Sequence, residues 1–95
     1  MADPEALKEH GNACFSRGKL DAAIDAYSEA ICLAPSNAVY RTNRAMCYLK
    51  KEDWLKVVED CTAALAIDSK SIKGHYLLGN ALVERASYQE GVKHL

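Results

Sequence analysis

Ninety-five residues, 49% of them hydrophobic and 26% charged, make one small folded domain rather than two, and argue against disorder along the chain as a whole. No apolar run approaches the ~20 residues a membrane-crossing helix needs. The opening Met1-Ala2-Asp3-Pro4-Glu5 lacks the basic and apolar segments of a secretory signal, so cytosol or nucleus is the expected compartment. Twelve basic against thirteen acidic residues leave a formal net charge of −1, which excludes bulk attraction to nucleic acid as the basis of function.

From the N-terminus, the local signals predict six helices in three pairs. Asp3 is placed to cap and Pro4 to start the first, because proline's missing N–H costs nothing in a first turn. Ser16 to Leu20, with Gly18, reads as the turn, and Asp21 is expected to cap the second helix. Pro35-Ser36-Asn37 closes the pair. A third helix is expected over 38–51, and Asp53 precedes a fourth that ends near Asp68. The fifth spans roughly 71–85, and Ser87-Tyr88-Gln89-Glu90 reads as a capping box that opens a sixth. Leu95 falls about two turns into that helix, so the natural chain is expected to continue. Leu77, Leu78, Leu82 and Val92 are then expected to expose apolar surface, with self-association through that end as the consequence.

Cys14, Cys32, Cys47 and Cys61 form no Cys-x-x-Cys pair, and no histidine lies three to five residues from another. Zinc wants four ligands in short spacings, so no metal is expected, nor any other cofactor. A reducing compartment argues against disulfides. The cysteines read as small core residues at helical spacing. His10, His75 and His94 have no evident nucleophile or paired acid, and no glycine-rich phosphate loop is present, so the segment offers no enzyme site. Trp54 reads as a packing residue.

Sliding the sequence by 34 residues brings small residues into register: Gly11, Ala45 and Gly79, then Ala23, Val57 and Gly91, then Ala30 and Ala64. Tyr27, Cys61 and Leu95 form a further set. Small side chains recur because two helices that cross closely leave no room for more. Leu7, Gly11, Phe15, Ala23, Tyr27, Ala30 and Pro35 resemble the motif of the tetratricopeptide repeat. The resemblance implies an all-α solenoid of antiparallel helix pairs: repeat one over 4–37, repeat two over 38–71 and an incomplete repeat three over 72–95.

The near-zero net charge hides a segregation. The first helix of each pair holds eight basic residues against Glu5, Glu9 and Glu84, while the rest of the chain carries four basic and ten acidic residues. In the repeat architecture those helices line the concave wall, where field focusing favours an anionic ligand; Arg44 and Lys51 are expected to face away. Lys8 and Asn12, four apart, share a helix face that Phe15 extends. Asn43, Met46 and Lys50 make the matching stripe, as do Lys73, Tyr76 and Asn80. Ammonium and amide donors on these stripes can converge on a carboxylate, with Phe15, Met46 and Tyr76 as an apolar pocket beside it.

This constellation resembles the dicarboxylate clamp of co-chaperone tetratricopeptide domains. The resemblance implies that Lys8, Asn12, Asn43 and Lys73 hold the terminal Asp of a Glu-Glu-Val-Asp tail, with the seventy- and ninety-kilodalton heat-shock chaperones as partners. Phe15, Met46 and Tyr76 would then receive the valine and the preceding hydrophobe, and Lys50 would add a contact. The family's second basic residue on that helix is Leu77 here, which favours the variant with an apolar residue at that place. The runs 39–50 and 71–79 look like the branch of the family whose members carry a C-terminal U-box and act as ubiquitin ligases. That implies recruitment of chaperones to a ligase for protein quality control. The alternative is the adaptor domain of a non-ligase co-chaperone: a bridging scaffold, or the targeting domain of a phosphatase or prolyl isomerase.

Overall fold

The computed structural model describes residues 2–93, with side chains through Gly91. Five helices follow one another: α1 (Pro4–Ser16), α2 (Leu20–Leu33), α3 (Ala38–Lys50), α4 (Trp54–Ile67) and α5 (Ile72–Lys93). Each packs on its chain neighbour, and α3 also meets α5. The short connections fold successive helices back on one another, a stacking that spreads over 52 × 29 × 18 Å.

The helix starts follow local chemistry. Asp3 accepts from the Glu5 amide at 3.1 Å with Pro4 in the first turn, and Asn37 accepts from the Val39 amide at 2.9 Å. Ser71 Oγ accepts from the Gly74 amide at 3.0 Å at the start of α5. Asp21 does not cap α2; Lys19 occupies the cap and Asp21 falls in the first turn. The reason lies in the preceding turn. Gly18, at φ 75°, lets the Lys19 amide reach back to the Cys14 carbonyl at 2.9 Å, so the next helix begins at once. Asp21 instead accepts from Lys51 Nζ at 2.5 Å.

Three buried clusters fill the stack. Cys14, Ala23, Tyr27 and Cys47 join α1, α2 and α3, with Phe15 against them. Ala30, Ile31 and Tyr40 lie on the other end of that joint. Ala45, Val57, Cys61, Leu77 and Ala81 join α3, α4 and α5. The register residues Ala23, Ala30, Ala45, Val57, Cys61 and Ala64 are all 0% exposed, as close helix crossing requires. On the far side of the stack Arg44 forks onto Asp60 (Nε–Oδ2 2.8 Å, Nη2–Oδ1 2.6 Å) and donates to Ser28 Oγ at 2.9 Å, tying α2, α3 and α4 together.

Four expectations are corrected. α5 runs unbroken through 86–87, so the turn between a fifth and a sixth helix is absent from the described residues. Ala86 and Ser87 contain neither proline nor glycine, and continued helical bonding satisfies the same amides the capping box would have satisfied. Leu77 is fully buried against α3 and α4, and Leu78 is half-buried, so the exposed apolar surface shrinks to residues such as Leu82 and Val83; Val92 lies outside the described side chains. Cys32 is exposed and not core, although Cys14, Cys47 and Cys61 are buried. Gly79 is exposed with nothing near its missing Cβ, because no described helix crosses α5 there. His94 and Leu95 lie outside the described residues.

Candidate functional site

The inner wall is read from α1 to α3 to α5. Asn12 on α1 points to Asn43 on α3, whose Nδ2 donates to Asn12 Oδ1 at 3.5 Å. Asn43 Oδ1 in turn accepts from Lys73 Nζ, on α5, at 2.9 Å. These residues line a cavity of about 140 Å³ together with Phe15, Met46 and Tyr27. The structure therefore brings together five of the eight residues singled out from sequence, namely Asn12, Phe15, Asn43, Met46 and Lys73.

Lys8, Lys50 and Tyr76 stand elsewhere. Lys8 lies one turn before Asn12 and pairs with Glu5 Oε2 at 2.9 Å, while Glu5 Oε1 accepts from the Tyr40 hydroxyl at 2.9 Å. Those hydrogen bonds from Lys8 and Tyr40 hold the Glu5 carboxyl below its usual range, and the pairing raises the Lys8 ammonium above its own. Lys50 is exposed between two other hollows, one beside Phe15 and Leu20, the other beside Trp54, Asn80 and Glu84. Tyr76 is 64% exposed and does not line the cavity, because its neighbour Leu77 takes the inward position on α5. The apolar side expected from Phe15, Met46 and Tyr76 is thus built from Phe15, Met46 and the ring of Tyr27.

Tyr27 is the residue that sequence reasoning placed in the repeat and not in the site. It is 2% exposed, and its hydroxyl donates a short hydrogen bond to Asn12 Oδ1. The ring stands over Gly11, where an added Cβ would lie 2.6 Å from Tyr27 Cε1. Gly11 and Tyr27 belong to the register found by the 34-residue shift, so the signal was present but read as packing alone.

The electrostatics follow from these pairings. Arg44 and Lys51 are committed to Asp60 and Asp21, away from the cavity, as the sequence suggested. Lys73 has no carboxylate partner among the described residues. Desolvation lowers its pKa below the ordinary 10.5, the sign of a cation that lacks a counter-charge. Burial pushes the neighbouring Cys47 thiol up to about 11, so it remains neutral and is no anionic partner. Other hollows are larger than this cavity, but among the described residues two carboxamides and an ammonium group converge here. No group of residues suited to a metal occurs among the described residues.

The family model described as TPR repeat matches residues 11–51. The chain is 50% identical over 91 residues to the E3 ubiquitin-protein ligase CHIP of Arabidopsis thaliana, covering 96% of this chain and 33% of that protein. Among solved structures, the Arabidopsis OM64 TPR domain superposes with a TM-score of 0.85 at 37% identity, covering 92% of this chain and 72% of that one. The second TPR of Spaghetti (RPAP3), bound to the HSP90 peptide SRMEEVD, superposes with a TM-score of 0.86 at 31% identity over 95% and 83%. The chain spans a third or less of the length of the first curated relatives it matches.

Proposed function

The chain belongs to the tetratricopeptide repeat family, and on that premise we propose that its inner cavity binds the free C-terminal carboxylate of a chaperone tail ending in Glu-Glu-Val-Asp. The observation that carries this reading is the convergence of Asn12, Asn43 and Lys73, from three different helices, on one cavity with an apolar side. A relative solved with such a peptide on the same fold supports it. Lys8, one turn from Asn12, swings from Glu5 to the ligand. Lys50 and Tyr76 flank the upstream residues of the tail.

Charge-assisted hydrogen bonds contribute roughly 1.5–3 kcal/mol each, and micromolar affinity requires only about 8 kcal/mol net. Two ammonium groups and two carboxamides are therefore enough for a reversible adaptor after the peptide's ordering cost is met. We further propose that the recruited chaperone is delivered to a U-box ubiquitin ligase. The 50% identity to a ligase over 96% of the chain favours this over a scaffold, phosphatase or isomerase adaptor. None of the 95 residues is assigned to ubiquitin transfer itself.

The test is calorimetric titration with a Glu-Glu-Val-Asp peptide as the free acid and as the C-terminal amide. Tight binding of the acid and at least about tenfold weaker binding of the amide is the expected result; equal affinities refute the reading. Lys73→Met is expected to cost about tenfold or more in affinity without lowering the thermal midpoint. Its depressed pKa means the unfolded chain binds more protons between the two pKa values. Charged Lys73 is therefore a drag on folding below its native pKa.

A further inference from the structure

The two carboxamides of the cavity are polar in a definite sense, and the hydrogen bonds reveal which way. A lysine ammonium only donates, so the atom of Asn43 facing Lys73 is the oxygen, which leaves the Asn43 amino group to face Asn12. An amino group in turn requires an acceptor opposite, so Asn12 presents its oxygen to Asn43. That same oxygen accepts from the Tyr27 hydroxyl, which fills its second lone pair. Both oxygens are thus occupied by groups of the protein. Among the described residues nothing accepts from Asn12 Nδ2, and its two protons remain for a ligand.

We propose that Tyr27 is a positioning residue for ligand binding: its hydroxyl pins the Asn12 carboxamide with the amino group turned toward the cavity, which makes the site a donor for carboxylates. This rests on the carboxylate-binding reading above. Without the hydroxyl, Asn12 has only the long 3.5 Å contact from Asn43 to set its orientation. A flipped carboxamide would present its oxygen to an incoming carboxylate and repel it. Burial pushes the Tyr27 hydroxyl up to about 12, so it keeps its proton over the physiological range. Gly11 is the enabling partner, since any larger residue there would move the ring that carries the hydroxyl.

The experiment is a double-mutant cycle on Tyr27→Phe and Asn12→Ala, titrated with the Glu-Glu-Val-Asp free acid and its amide. Tyr27→Phe keeps the ring and is expected to weaken free-acid binding about fivefold while leaving the amide nearly unaffected. In the Asn12→Ala background the same substitution should have no further effect, because the group it positions is gone. In proton–nitrogen spectra the Asn12 side-chain amide resonances should move in Tyr27→Phe. Should Tyr27→Phe lower the folded fraction, para-fluorophenylalanine at position 27 fills the hydroxyl's space without its proton and is expected to give the same loss. Wild-type affinity in the phenylalanine or fluorinated form, or an equal loss with and without Asn12, overturns the proposal. A wild-type chain that does not distinguish acid from amide would instead sink the carboxylate reading itself, so the two failures are separable.

Discussion

The first and second repeats solve one packing problem with different residues. In the first, Gly11 on α1 admits the large ring of Tyr27 on α2; 34 residues later Ala45 on α3 meets the small Cys61 on α4, both fully exposed to nothing but the core. The turns repeat as closely. Gly18 and Glu52 both take left-handed backbone, at φ 75° and 60°, and in each turn the next residue's amide bonds a carbonyl five back at 2.9 Å. A larger residue on one helix is thus matched by a smaller one on its partner, and only the pair with the larger residue brings a hydroxyl to the cavity. The second repeat's Ala45–Cys61 pair is packing; the first repeat's Gly11–Tyr27 pair also ties down the Asn12 carboxamide that lines the cavity.

Breaking the ion pair that joins α3 to α4 inside the second repeat should have the largest effect. Arg44→Ala leaves Asp60, which is 4% exposed, without its partner, and is expected to cost about 3 kcal/mol in denaturant unfolding. In the first repeat, Gly11→Ala drives a methyl into the Tyr27 ring and should cost about 2 kcal/mol and weaken peptide binding. The mirror substitution, Ala45→Gly, should cost about 1 kcal/mol and leave peptide affinity unchanged, since no ligand-facing group depends on it. The turns differ in the opposite sense. Glu52→Gly relieves a left-handed non-glycine residue and is expected to raise stability by about 0.5–1 kcal/mol in thermal unfolding.

The smallest effect is a pH dependence carried by Lys73, which belongs to neither repeat. Desolvation holds its free-state pKa below 10.5, and a bound carboxylate moves it back up. Binding is therefore strongest below the free-state value and weakens as pH rises through it. Lys8, whose pKa is raised by Glu5, keeps its charge longer. Titrations in alkaline buffers should show the decline in wild type and lose it in Lys73→Met.

Much of this was legible in the residues because the repeat is a local, periodic signal. Asp3, Pro4, Asn37 and Asp53 mark helix starts by side-chain chemistry alone, and the small-residue register identifies where helices cross. Asn12, Asn43 and Lys73 could be grouped because the 34-residue register puts them three and four residues apart, a spacing that shares one helix face. What escaped depends on neighbours the period does not specify. Leu77 was expected at the surface, but its place in the core is decided by α3 and α4. Tyr27 matched the repeat so well that its hydroxyl went unread. The break expected at Ser87 rested on a capping signal, and such a signal acts only if something else first draws the chain out of the helix.

Arg44 has one more consequence, and it follows from its number. It is the residue after Asn43, about 100° around the same helix. The guanidinium fork on Asp60 therefore acts as a stop against rolling of α3 about its axis. A roll of roughly 10° would sweep a side-chain tip some 5–6 Å from the axis through about 1 Å, more than the ~0.5 Å a polar contact tolerates. A largely buried salt bridge on the far side of α3 thereby sets the aim of an amide at the cavity, without a single atom reaching from one to the other.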